Sequence, residues 1–361
     1  MDTRFYEIDI LRFLSALAVV IFHYTYTGFM EGFAPVADFP QLRELTKYAY
    51  VGINFFFIIS GFVIFMTIAD NNPKRFIASR FSRLFPAYWF ALWLTTLVTL
   101  LIGADTFSVT VTQFFANITM VNPLFGQNPI DSAYWTLFIE LQFYCLVLLI
   151  IQLKLSRYFL AIIAITLITS TASLFSQWAA NVNMWQLIFP HWSGYFALGC
   201  LFFMIKRDGI NRFTAGLLLL GYVFVIKQST LFGSLMAQWF NIAFSDVVLA
   251  VLNSVFFFSF CITALCAQHP LRLRICYYLG ILTYPLYLIH QHIGYMMFNF
   301  IGTPENIGLV VCGTILLMLV IAYAIHRLIE KNLAPLFKQS CLQLLTDSAS
   351  YIQRAKQLRD R

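Results

Sequence analysis

Charge is what this chain has least of. Only 11% of its 361 residues are Asp, Glu, Lys or Arg, and 60% are hydrophobic. Soluble domains carry about 25% charged residues. A chain so poor in charge cannot cover its own core with polar surface in water, whereas a bilayer can cover it with lipid. It also lacks any metal-ligand spacing among Cys145, Cys200, Cys261, Cys266, Cys276, Cys312 and Cys341. All but Cys341 lie in or beside apolar runs, so they read as small packing residues and no metal is expected. The net charge of +7 comes from basic residues scattered between apolar runs. No single basic patch exists, which excludes a nucleic-acid partner. There is no internal repeat and no low-complexity segment. No cleavable signal peptide is expected either: the first apolar run holds Asp9, Arg12 and His23 and lacks a small-residue cleavage site.

What the chain does have is long apolar runs and 39 Phe residues. A bilayer core about 30 Å thick needs about 20 mostly apolar residues per helix. Such runs predict an all-α, polytopic transmembrane bundle of about ten spans. They fall at 8–28, 48–69, 85–103, 134–152, 158–176, 191–205, 212–227, 246–267, 277–300 and 306–328. Residues 1–336 form the transmembrane domain on this reading, and 337–361 a short basic tail. With the N-terminus inside, every Lys and Arg falls inside except Arg43, Lys47, Lys227 and the membrane-embedded Arg12. That is the positive-inside pattern, and it puts both termini in the cytosol. The longest outside loop, 104–133, holds Asp105 and Asp131, no Lys or Arg, and the turn formers Asn122-Pro123, Gly126 and Asn128-Pro129.

An ionisable group inside a span costs several kcal/mol unless paired or hydrated, so each marks a candidate site. In the first helix Asp9 and Arg12 can pair on one face. Arg12 and His23 are eleven residues apart, close to three whole turns and roughly 16 Å along the axis. Taken alone, Arg12 could snorkel and His23 could be an interfacial histidine. Glu140, in WTLFIELQFY, enters from outside and sits about two turns in; as a lone carboxylate it needs a cation, a histidine or water. His290, in YPLYLIHQH, falls near mid-membrane, where Pro285 should bend its helix. His292 faces elsewhere and reads as structural. Three helices far apart in sequence thus bring His23, Glu140 and His290 to a comparable depth. A histidine beside a carboxylate is suited to taking a proton from a hydroxyl.

On the inside, NNPKRFIASRFSRLFPAYW sets Arg80 and Arg83 three apart, with Lys74 and Arg75 nearby. Such a cluster suits phosphate groups, although the inside signal and lipid headgroups account for it equally well. Ser60-Gly61 permits close backbone approach within the second span, which plain helix packing also explains.

Together these residues resemble membrane-bound acyltransferase family 3, the bacterial group that includes O-antigen and nodulation-factor O-acetylases. The resemblance runs from Asp9 to about Pro335. Arg12 and His23 match the family's Arg, ten residues, His pattern. GINFFFIISGFVI (52–64), RFSRLFPAYW (80–89), WTLFIELQFY (135–144) and TYPLYLIH (283–290) are similar to its other signature segments. Two positions depart: Leu141 follows Glu140 where many members have a second acid, and Thr136 replaces the usual Ser.

The resemblance implies an acyl-CoA donor, most often acetyl-CoA, and transfer to a hydroxyl of a surface saccharide or lipid-linked glycan at the bacterial cytoplasmic (inner) membrane. Arg80, Arg83 and Arg75 would hold the donor's phosphates, and its arm would pass Arg12. Ser60 and Tyr88 would line the site. His23 would be general base, with Glu140 orienting it and His290 assisting or binding the acceptor. A transporter or flippase of a lipid-linked sugar could use the same buried groups, and a non-catalytic sensor or a long-chain acyltransferase could keep the fold.

Overall fold

The computed structural model describes residues 5–68, 71–104, 106–176, 190–265 and 274–359. Every regular element among the described residues is helical. Eight helices are long and apolar enough to cross a membrane. Their outer faces are apolar as well: Trp93, Leu100, Ile165, Val251, Phe258 and Leu309 are all exposed. In water such a belt would drive aggregation, whereas lipid tails cover it.

Helix α1 (Tyr6–Phe22) continues into a π turn, His23–Thr27, and a last turn, Gly28–Met30. After the short α2 (Pro40–Thr46) comes α3 (Gly52–Thr67). The next helix, α4 (Pro73–Ile102), has 30 residues, about 45 Å at the usual rise. It therefore outruns a bilayer core of about 30 Å. The basic segment expected as a loop before the third span is instead the first turns of this helix. Asn72 caps it by accepting the Arg75 N–H at 3.1 Å, with Pro73 at the first position.

A short helix, α5 (Val111–Ile118), occupies the long loop, and α6 (Trp135–Gln152) and α7 (Phe159–Ser173) follow. Two of the expected spans are less apolar or shorter than the rest. One is α8 (Pro190–Asp208). The other, 277–300, is divided into α11 (Arg274–Ile289) and α12 (Gln291–Ile301), with the break at His290, beyond Pro285. Between them lie α9 (Arg212–Phe240) and α10 (Asp246–Leu265).

The seventh span, expected to stop at 227, runs on to Phe240, so Lys227 lies within α9 and not in an outside loop. Buried polar residues continue that helix because they have partners. Asn253 of α10 donates to Ser229 at 2.7 Å. Helix α13 (Ile307–Ile325) passes through a second π turn, His326–Glu330, into α14 (Lys331–Arg359). The tail from 337 onward thus continues a helix that packs along α4.

Two glycines set the closest helix contact. A Cβ on Gly199 of α8 would overlap the Ile58 carbonyl of α3, and one on Gly61 would overlap the Phe196 carbonyl. Small residues allow backbones to meet this closely in a membrane. Gly199→Leu should lower the thermal midpoint in detergent, at a cost of about 1–3 kcal/mol for overpacking. Gly216→Ala, where nothing lies within 4 Å of an added Cβ, should leave the midpoint unchanged or raise it. Equal effects would refute the packing role.

Candidate active site

A cavity of about 540 Å³ opens between α1, α3, α4, α6, α11 and the π turn before α14. Glu140 of α6 lines it, and one carboxylate oxygen, Oε1, takes two hydrogen bonds. Ser60 of α3 donates at 2.6 Å, and Tyr144, one turn further along α6, donates through its hydroxyl. Arg12 and Asp9 of α1 line the same cavity. Asp9, Glu140 and Tyr144 lie close enough to act on the Arg12 guanidinium electrostatically, as does Arg83. A Cβ on Gly280 of α11 would meet the Asp9 carboxylate, so a glycine there makes room for that acid.

Toward α14 the cavity is lined by Arg80, Arg83, His326 and Lys338. Arg80 lies over the Tyr144 ring, with its guanidinium carbon 5.7 Å from the centroid. Its Nη2 donates to Ser79 at 3.1 Å, while its buried Nε has no hydrogen-bond partner among the described residues. Arg83 is engaged differently. Its Nη1 is 3.3 Å from Glu330 Oε1, and its guanidinium lies over the Tyr284 ring at 5.5 Å. The other oxygen of Glu330 is 2.7 Å from His326 Nδ1. Only 8% of Glu330 is exposed, so its charge depends on these two partners.

His23 and His290 lie elsewhere. Neither lines the cavity; their rings face each other with centroids 5.3 Å apart. His23 begins the π turn of α1, a distortion that recurs at functional sites. Its Nδ1 is 2.9 Å from Thr27 Oγ1 and 3.2 Å from the Tyr295 hydroxyl. These two oxygens are themselves 2.9 Å apart.

His290 sits at the break between α11 and α12, fully buried. Its Nδ1 is 2.8 Å from the Tyr287 carbonyl. A carbonyl only accepts, so Nδ1 carries the proton and Nε2 bears the lone pair. That Nε2 is buried without a hydrogen-bond partner among the described residues, an exception among buried polar atoms. The carbonyl of His290 accepts from the Tyr24 hydroxyl at 2.7 Å, which ties the break to α1.

Tyr287 stands between the two groups. Its hydroxyl is 2.7 Å from Thr136 Oγ1 and donates to the Ala133 carbonyl at 2.9 Å. Both side chains line the cavity, and the Tyr287 ring lies 5.6 Å from His290. The cavity therefore ends at a Tyr287–Thr136 wall and does not reach His23, the residue expected to act as base.

A family model described as an acyltransferase domain matches residues 5–327. The chain belongs to acyltransferase family 3. No curated protein and no solved structure matches it.

Within this acyltransferase the candidate residues divide. Arg12, Ser60, Arg80, Arg83 and Glu140 share the cavity. His23 and His290 form a separate pair. Glu140 makes no hydrogen bond to His23 among the described residues, because Ser60 and Tyr144 take it. The acid beside the histidines is Asp131, fully buried. Its carboxylate accepts the backbone N–H groups of Ala133 and His292, each at 2.9 Å. His292 is held to the same loop: its Nε2 accepts the Ser132 N–H at 3.3 Å.

Arg75 and Tyr88 do not line the cavity. Arg75 borders a neighbouring hollow, and Tyr88 donates to the Asn117 carbonyl at 2.7 Å. The sequence reading passed over Tyr144, Tyr287, Lys338, His326 and Glu330. The last two are four apart, the spacing that puts side chains on one helix face.

The Arg83–Glu330 contact should appear in a double-mutant cycle. Glu330→Gln should cost about 1–3 kcal/mol of stability. Arg83→Met combined with it should fall short of additivity by at least about 0.5 kcal/mol. Strict additivity in thermal unfolding would contradict the pair.

Proposed function

We propose that this protein is an O-acyltransferase of the bacterial cytoplasmic membrane. It moves an acyl group, acetyl in the simplest case, from cytosolic acyl-CoA to a hydroxyl of a surface saccharide or lipid-linked glycan. The chain crosses the membrane ten times, with both ends in the cytosol, so the α14 end of the cavity is the donor entrance. One observation supports this most: a cavity lined by cations at its α14 end is also lined by Tyr287, whose ring lies 5.6 Å from His290 of the histidine pair.

Arg80 and Arg83 receive the donor's diphosphate. Planar guanidinium forks suit phosphate oxygens, and the unpartnered Nε of Arg80 supplies a donor for one. The pantetheine arm then runs past Arg12 and Glu140, and the thioester carbonyl lies against Thr136 and Tyr287. His23 is the general base on the acceptor hydroxyl. The lone pair on Nε2 of His290 accepts from a second hydroxyl of the acceptor saccharide, because the proton of the reacting hydroxyl goes to His23.

As the acceptor oxygen attacks, its proton passes to His23. A carbon–oxygen bond forms at the acyl carbon, the carbon–sulfur bond breaks, the departing thiolate takes up a proton to give coenzyme A, and His23 returns its proton to solvent. Because the Tyr287 wall separates donor from acceptor, its hydroxyl must leave Thr136 or the thioester must pass beside it. Glu140, bonded to Ser60 and Tyr144, orders the donor arm's path and balances Arg12.

His23→Ala should lower the transfer rate by roughly 10²–10⁴ with donor affinity unchanged, measured with labelled acetyl-CoA and purified protein. Arg80→Ala should mainly weaken donor binding. Full transfer activity in His23→Ala, or unchanged donor affinity in Arg80→Ala, would refute the assigned role. For the acceptor, glycan from a deletion strain should lose one acetyl unit by mass.

A further inference from the structure

A second hollow, about 410 Å³, lies between α4 and α14. It is lined by Thr67, Arg75, Phe76, Ser79, Lys338 and Leu342. None of these is acidic. Ser79 and Lys338 also line the main cavity, so the two spaces adjoin along those side chains. Among the described residues Lys338 makes no hydrogen bond or ion pair, unlike Arg83, which Glu330 already engages. Lys338 and Leu342 belong to α14, beyond the stretch matched by the family model.

We propose that Arg75, Ser79 and Lys338 form a binding site for a phosphate monoester, adjoining the main cavity at its α14 end. Two cations and a hydroxyl offer several donors to one small dianion, and charge-assisted hydrogen bonds to phosphate are the strong ones. This rests on the acyl-CoA reading above and extends it. Coenzyme A carries a diphosphate in mid-chain and a phosphate monoester on the ribose at its nucleotide end. A donor with its thioester at Tyr287 and its diphosphate at Arg80 and Arg83 has that nucleotide end directed outward. There Lys338 is the next cation lining the cavity. The main cavity alone is of the size that takes one drug-like ligand, about 300–1,000 Å³, and the second hollow adds room for the nucleotide. The same dianionic chemistry is offered by the headgroup of phosphatidic acid, so the test separates the two sources.

The experiment uses the full chain in nanodiscs of phosphatidylcholine. Equilibrium binding is measured for acetyl-CoA and for its analogue lacking the ribose phosphate. The wild-type protein should favour acetyl-CoA by about tenfold, the scale of one charge-assisted contact. Lys338→Gln should remove that preference while binding the dephospho analogue as the wild type does, and Ser79→Ala should reduce it. Thermal midpoints show whether both variants fold.

In a second arm, the nanodiscs contain phosphatidic acid. Competition of that lipid with nucleotide, or binding of it that Lys338→Gln abolishes, would assign the monoester to a headgroup and still support the site. Unchanged discrimination by Lys338→Gln together with unchanged phosphatidic acid binding would overturn the proposal. Failure of the wild type to bind either nucleotide would instead contradict the acyl-CoA reading, and the lipid arm would still decide the phosphate site.

Discussion

A half-buried carboxylate set among apolar helices must have partners, and the rest of this architecture is organised around giving Glu140 its own. An unpaired charge there would cost several kcal/mol. Ser60 from α3 and Tyr144 from α6 bond one oxygen, and Arg12 from α1 shares the cavity. That requirement brings three helices distant in sequence to one point, and the glycine contact between α3 and α8 holds α3 in place. Glu330 meets the same constraint at the α14 end by taking both Arg83 and His326. Where most polar atoms are satisfied, three exceptions lie in the region of interest among the described residues: Nε of Arg80, Nε2 of His290 and Oε1 of Gln291. Natural sequences break this rule chiefly where function requires it.

The Tyr287–Thr136 wall gives the site two compartments. A thioester is exposed to hydrolysis wherever water and a base reach it together. On the proposed acyl-CoA reading, keeping the cavity apart from the histidine pair would limit that side reaction until an acceptor arrives. The wall is a hydrogen bond between two hydroxyl groups at 2.7 Å, with a second to a backbone carbonyl. Such a closure can open without breaking a helix. The break at His290 and the π turn at His23 place two irregular stretches of backbone side by side on the far side of that wall.

Much of this was legible in the sequence, because apolar periodicity over 20 residues and isolated charges within it are local signals. The helical bundle and the membrane followed from them, and the family from the resemblance of the segments around those charges. Arg12 and Glu140 stood out as such charges, Arg80 and Arg83 as a basic cluster and Ser60 through the resemblance, and the five do share a cavity. What the sequence could not convey was pairing across helices. Depth alone suggested that Glu140 would meet His23, yet depth does not specify which face of α6 turns to which neighbour. Ser60 and Tyr144 take that carboxylate, and Asp131, read as a loop acid, lies beside the histidines. Helix ends misled in a similar way. The basic segment was assigned to a loop because it is polar, although Asn72-Pro73 is a helix start. His326 and Glu330 escaped notice because they sit past the last apolar run, where charge is ordinary.

The most direct test is a structure of the full chain with a non-hydrolysable acyl-CoA analogue. The account predicts the phosphates at the α14 end beside Arg80, the arm alongside Arg12 and Glu140, and the acyl carbon against Tyr287 facing His23 and His290. A nucleotide seated on the Asp131 side of the bundle, or an acyl group lying among the lipid-facing residues, would contradict it.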